Sequence, residues 1–272
     1  MTDASPPLRS PGPARGILRA DAPDGRLAGN RVLPPPALAA FVHHFWSLHW
    51  DLRSPYTAEA LPHPSARIVL EERGGAHRAE LAGVYTGRFA RRLEGRGQTF
   101  GITFRAAMAQ PLLGAPMVSL TDRALPLARL LGRSVGPWAR AVLAARDLET
   151  KVELASDFLA SRLGSTKPRI MRLRDLVERM GSDRSLLRLE QVCVESGLGV
   201  RALQRAFSRY VGLSPKSVLQ RYRLLEASEQ LRGPRPPSLA ALATSLGYAD
   251  QAHFARDFKL TVGRSPGAFA RG

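Results

Sequence analysis

The chain is poor in the residues that staple, ligate or anchor a protein. Its 272 residues include a single cysteine, Cys193, which excludes an internal disulfide framework and a cysteine-built zinc cage and suits a reducing compartment. No apolar run approaches the ~20 residues that a membrane helix needs, and Met1 to Gly16 lacks the hydrophobic stretch of a secretion signal. The expectation is an intracellular, cytoplasmic protein with no membrane partner. Lysine is scarce too: only Lys151, Lys167, Lys216 and Lys259 stand among 40 basic residues, the other 36 being arginine. A genome rich in G and C can produce that skew without any function attached. At 44% hydrophobic and 23% charged, the composition is that of a soluble globular chain, long enough for one large domain or two ordinary ones.

What is abundant is positive charge. Forty basic residues against 23 acidic ones leave a net +17, which points to a polyanionic partner. The excess is uneven. From Lys167 onward there are 19 basic and 9 acidic residues, so the last two-fifths of the chain hold more than half of it.

Residues 1–31 are rich in Pro, Gly, Arg and Asp and read as a flexible tail. Residues 32–164 read as a β-rich regulatory domain with trailing helices. Ala37–His44 can make two helical turns. Trp46, Leu48, Trp50 and Leu52 then alternate with polar residues, as a half-buried strand does. Arg67–Glu72, Ala79–Tyr85, Phe89–Glu94 and Thr99–Phe104 are further strand candidates, punctuated by glycines. Short strands at this spacing predict a small barrel or sandwich. Ala106–Leu113, Leu125–Leu131, Pro137–Arg146 and Thr150–Leu163 read as helices. The stretch from Gly164 to Pro168 reads as a linker, and residues 168–272 read as an all-α domain. The fold class is therefore α+β.

The helical third contains a repeat. Aligned on Gly197 and Gly247, Leu189 matches Leu239, Val192 matches Leu242 and Cys193 matches Ala243. After one inserted residue, Leu203 matches Phe254, Arg205 matches Arg256 and Phe207 matches Phe258. Gly212, Ser214 and Pro215 match Gly263, Ser265 and Pro266. In each copy a short helix with one apolar face meets a glycine, where a tight turn is easiest, and a second helix follows. The first second-helix turns Leu203, Ala206 and Phe207 inward and shows Arg201, Gln204, Arg205 and Ser208 outward. The other shows Gln251, His253, Ala255 and Arg256, with Asp250 placed to cap it. Any helical hairpin has an apolar and a polar face. Here, however, both outer faces carry arginine and glutamine, which pair bidentately with guanine and adenine edges. The pattern is two helix-turn-helix units, at about 189–210 and 239–260.

The stretch Leu189–Arg271, above all Gly247-Tyr248-Ala249-Asp250-Gln251-Ala252-His253-Phe254-Ala255-Arg256 with Gly263 and Ser265-Pro266 behind it, resembles the DNA-binding module of AraC/XylS transcription regulators. The resemblance implies seven helices, with a long connecting helix at about Pro215–Leu231. It implies double-stranded DNA as partner and two recognition helices about one DNA turn apart. The family's base-reading positions fall on Arg201, Gln204 and Arg205, and on Gln251, Ala252, His253 and Arg256. Gly199 stands where a small hydroxyl residue usually caps the first recognition helix. Ala252 has no group to hydrogen-bond a base. Cys193 replaces a small alanine and reads as packing.

The front region resembles an uncharacterised domain often found ahead of such modules, through Phe41–Trp46, Leu61–Pro64, Ile68–Leu70, Gly101–Phe104 and Ser119–Asp122. That resemblance implies a sensory or dimerising role and names no ligand. His43, His44, His49, His63 and His77 form no H-x-H or H-x-x-x-H pair, so no metal and no cofactor is expected. No catalytic motif is present, and no catalytic residue is assigned. The reading is a bacterial, sequence-specific DNA-binding transcription regulator, not an enzyme. A small effector in the β-rich shell would modulate it, and helices 137–146 and 150–163 are candidates for pairing in a homodimer. Two alternatives remain open here: a non-specific architectural DNA binder, and a ligand- or metal-dependent enzyme domain fused to the module.

Overall fold

Alternation in the front half of the chain builds one antiparallel sheet. The computed structural model describes residues 9–11, 16, 18 and 24–271. Its strands are β1 (Gly25–Val32), β2 (Val42–Ala60), β3 (Arg67–Arg73), β4 (Ala76–Ala82), β5 (Phe89–Phe104) and β6 (Ala124–Pro126). They lie in the order β1-β2-β5-β3-β4-β6. The β-rich shell is thus a single six-stranded sheet.

Phe45 and Ile68 both pair with Ile102, and Leu70 pairs with Phe100. Residues opposite one another share a face, so these side chains form one apolar, fully buried patch on that face. Four helices follow in this half: α1 (Gln110–Leu113), α2 (Leu127–Leu131), α3 (Val135–Ala144) and α4 (Leu148–Ala160). Val142, Leu143, Ala155 and Leu159 of α3 and α4 join that core. Trp138 stacks on Phe158 at 3.9 Å between ring centres.

Three local expectations need correction. The predicted helix Ala37–His44 is a short 3-10 turn, Pro36–Leu38, and β2 begins at Val42. Two turns of helix have little stability of their own, and cross-strand burial of Val42 and Phe45 outweighs them. Phe89–Glu94 and Thr99–Phe104 form one strand, bent where Gly95 takes φ +58° at the register shift opposite Leu52 and Tyr56. The flexible tail is not free over its whole length. Residues 25–32 pair with β2. Leu18 is fully buried, its N–H donates to Glu59 O (2.9 Å), and Leu61 N–H donates to Gly16 O (2.7 Å). An edge strand is stabilised by its neighbour and leaves little mark on composition. Residues 1–8, 12–15, 17 and 19–23 of that expected tail lie outside the described residues.

The chain crosses 164–167 without regular structure and becomes helical: α5 (Pro168–Ser182), α6 (Leu189–Ser196), α7 (Val200–Tyr210), α8 (Pro215–Arg232), α9 (Leu239–Ser245), α10 (Gln251–Val262) and α11 (Pro266–Ala270). The central member is α8. Its 18 residues span about 27 Å at 1.5 Å per residue, and it is buried on several sides because both halves of the chain pack on it.

The two halves share cores. Val84, Ala106, Ala107 and Met108 sit in one apolar cluster with Ile170, Leu173, Phe207 and Val218. Leu18 and Leu61 sit in another with Leu224, Leu225, Phe254 and Phe258. Polar bonds cross the same boundary. Thr121 Oγ1 donates to Gly212 O (2.6 Å), and Arg105 pairs with Glu178 (2.5 Å). Arg221, 3% exposed, donates to Pro62 O (3.1 Å), Tyr85 O (2.9 Å), Gly87 O (3.3 Å) and Thr86 O. Burial pushes its guanidinium down to about 10, still protonated at neutral pH.

Gly83 marks a close backbone approach: a Cβ there would fall 1.9 Å from Leu120 O. Gly83→Ala is expected to destabilise by about 1–3 kcal/mol through forced backbone displacement. Thermal unfolding checks it, at about 2–4 °C per kcal/mol for a chain of this size, and an unchanged Tm would contradict the close approach.

Candidate nucleic-acid interface

Each helix-turn-helix unit is assembled from capping and turn chemistry written into the repeat. Gln191 Oε1 accepts from the N–H groups of Leu187 (2.9 Å) and Arg188 (2.7 Å) at the start of α6. The turns that follow α6 and α9 carry Gly197 at φ +65° and Gly247 at φ +73°, backbone that a side chain would strain. Helix α10 is capped by Asp250, whose carboxylate accepts from His253 N–H (2.7 Å). That bond holds the carboxyl below its usual range. Helix α7 starts at Gly199 with no side-chain cap, as its sequence suggests. Ser214 and Ser265 cap α8 and α11 in the same way, accepting from Ser217 N–H (3.1 Å) and Ala268 N–H (3.3 Å). This reproduces the sequence repeat in three dimensions.

The apolar sides of both second helices are buried. Leu203 and Phe207 of α7, and Phe254 and Phe258 of α10, are fully enclosed. Their opposite sides are open. Arg201, Gln204 and Arg205 are exposed on α7, with Ser208 half-buried one turn on. Gln251, Ala252, His253 and Arg256 are exposed on α10. Among the described residues, Arg201, Arg205 and Arg256 form no ion pair or hydrogen bond. His253 is more engaged: its ring meets Tyr248 edge-on at 5.2 Å, and Nε2 lies 3.7 Å from Asp257. Asp257 also accepts from Gln220 Nε2 of α8 (2.7 Å), tying the second unit to the connecting helix. Cys193 is half-buried against the first unit's core.

Residues 192–272 match the model of a helix-turn-helix domain. That match, with the relatives below, supports a DNA-binding module of the AraC/XylS type in this stretch. Residues 30–126 match a domain of unknown function, DUF6597. Among curated relatives, the HTH-type transcriptional activator RhaS of Escherichia fergusonii is 34% identical over 83 residues, 30% of each chain. RhaS of Pectobacterium carotovorum subsp. carotovorum is 32% identical over 69 residues, 25% of this chain and 24% of its own. This chain thus matches less than a third of the length of those relatives. Among solved structures, a probable AraC family transcriptional regulator from Rhodopseudomonas palustris is 29% identical, covering 37% of this chain and 94% of that one, at a TM-score of 0.33.

One structural feature of this module is not foreseen from the sequence: the clamp that Arg221 makes on carbonyls of the front half. Arg221 lies three residues after Val218 and three before Leu224, both fully buried. A lone arginine within the apolar stripe of a helix is the signal that could have found it. No helix of the described residues is long and apolar enough to cross a membrane, and no group of three or more His, Cys, Asp or Glu among them is placed to hold a metal ion.

Proposed function

We propose that this protein is a sequence-specific DNA-binding transcription regulator that presents α7 and α10 to two successive major grooves. The carrying observation is that both second helices of a duplicated motif expose arginines with no internal partner among the described residues. Bidentate guanidinium contacts to guanine O6 and N7 discriminate among base pairs, while neighbouring basic residues and helix N-termini hold phosphates and set register. Arg201, Gln204, Arg205 and Arg256 read bases in this scheme. Gln251 adds a base contact, Ala252 packs against a thymine methyl, and Ser208 and His253 serve at the edge of each contact. Residues 32–164 act as the regulatory domain, taking a small effector or a second copy of the chain, and residues 168–272 bind DNA in the cytoplasm. The protein acts by binding rather than by catalysis.

The test is titration of the full chain against DNA from beside its own gene, with random DNA as competitor, at two salt concentrations. A regulator favours one site by about 10³-fold or more. Equal affinity for both DNAs with a steep salt dependence would mark an architectural binder instead.

A further inference from the structure

We propose that Arg31, His44 and Arg67 form a binding site for the carboxylate or phosphate group of a small ligand, and that its occupancy is transmitted to the DNA module through Arg221. The inference rests on the regulator reading and gives the effector a chemistry.

The site lies on the face of the sheet opposite the main core. Arg31 pairs with Trp46, which pairs with Gly101. Arg67 pairs with Thr103, which pairs with His44. Residues 44, 46, 101 and 103 alternate with the core residues Phe45 and Ile102, so all these side chains share the second face. Its floor is the small pair Gly101 and Thr103, and the Trp46 indole lies over Gly101, where a Cβ would fall 2.0 Å from its ring.

Two cations stand here without a counter-ion among the described residues. Arg31 Nη1 is buried and has no hydrogen-bond partner there. Among the described residues, Arg67 meets the rings of Tyr85 (5.7 Å) and Phe89 (5.8 Å) and no carboxylate. Glu71, Glu94 and Glu59 of the sheet are committed elsewhere, to Arg78 and Arg91, to Arg73 and to Arg88 respectively. His44 adds no charge of its own: burial first, then Arg31, His43, His63 and Arg67, push it down to about 2. A desolvated cation is costly unless paired. His44 is held between His43 Nδ1 (2.8 Å to its Nδ1) and Thr103 Oγ1 (3.3 Å to its Nε2) and forms the neutral wall of the site. A ligand oxyanion supplies the missing partner of the two guanidiniums, with the Thr103 hydroxyl as a hydrogen-bonding neighbour and Trp46 for an apolar body.

The route to DNA is short. Arg67 stacks near Tyr85, whose carbonyl accepts from Arg221 of α8. Arg67 and Arg221 repel one another across that loop. An anion on Arg67 weakens the repulsion and firms the hold of the front domain on the helix that joins the two recognition units.

The experiment uses the full chain at fixed ionic strength, with inorganic phosphate and benzoate as probes and chloride as the control. Tryptophan fluorescence and thermal unfolding are the readouts. A saturable response to phosphate or benzoate, weakened about tenfold or more in Arg31→Met and Arg67→Met, is expected. Response to phosphate alone assigns a phosphate ligand, and response to benzoate alone assigns a carboxylate with an apolar body. Arg31→Met should fold at a Tm no lower than that of the parent, since its buried charge has no partner to lose. Absence of saturation by either probe up to about 10 mM, or a response that survives in Arg31→Met, overturns the site. DNA binding measured in parallel keeps the two readings apart: specific DNA binding without an anion response removes only the site, and an anion response without DNA specificity removes only the regulator reading.

Discussion

Arg205→Ala is expected to weaken binding to the preferred DNA site by about 1–3 kcal/mol, roughly 5- to 150-fold, with no loss of fold stability. The two halves of that expectation have separate causes. Arg205 is exposed on α7 and makes no ion pair or hydrogen bond among the described residues, so its removal breaks nothing in the free protein, and alanine is the better helix former. In the proposed complex the guanidinium would be the group that reaches a base edge. Its loss strands guanine acceptors and relaxes preference at one base pair. Competition binding against a site series with that pair varied gives the number. An equal loss on every sequence, with a shallower salt slope, would reassign Arg205 to a phosphate.

Arg221→Met is expected to act in the opposite way, on stability first. The side chain is 3% exposed and serves four main-chain carbonyls of the front half, Pro62, Tyr85, Thr86 and Gly87. Removing the donor strands buried carbonyl acceptors, which costs about 1–3 kcal/mol for each one left unsatisfied. Arg221→Lys is not a rescue, because an ammonium is a compact charge without the planar fork that reaches several carbonyls at once. Thermal unfolding of the full chain is the measurement, and a Tm within a degree of the parent would show that the clamp carries no stability. A second readout distinguishes packing from communication. If α8 couples the halves, DNA affinity in Arg221→Met no longer responds to any ligand of the front domain.

The helix-turn-helix units are legible in the order of residues because their information is local. Caps at Ser214, Asp250 and Ser265, turns at Gly197 and Gly247, and the inward pairs Leu203/Phe207 and Phe254/Phe258 are short-range rules, repeated within one chain. The exposed positions follow once the apolar stripe is known, so Arg201, Gln204, Arg205, Gln251 and Arg256 stand at the surface as their spacing requires. In the front half the same kind of reading finds the strands but divides β5 and gives Ala37–His44 to a helix. Strand ends are set by partners far along the chain, and Val42 is drawn into β2 by Phe104, 62 positions away in the register.

The sequence by itself determined the duplicated module, its caps, its two arginine-bearing faces and its net positive charge, because helix periodicity and capping need only neighbours three or four residues apart. Tertiary structure alone decided how the halves meet. The sealing of residues 25–32 onto the sheet, the passage of Leu18 into the core of the second unit, the grip of Arg221 on carbonyls from two separate loop segments and the juxtaposition of Arg31 with His44 and Arg67 all join residues distant in sequence. Their physical basis is long-range burial and pairing, where the chemistry of each residue is fixed by a neighbour that the order of the chain does not reveal.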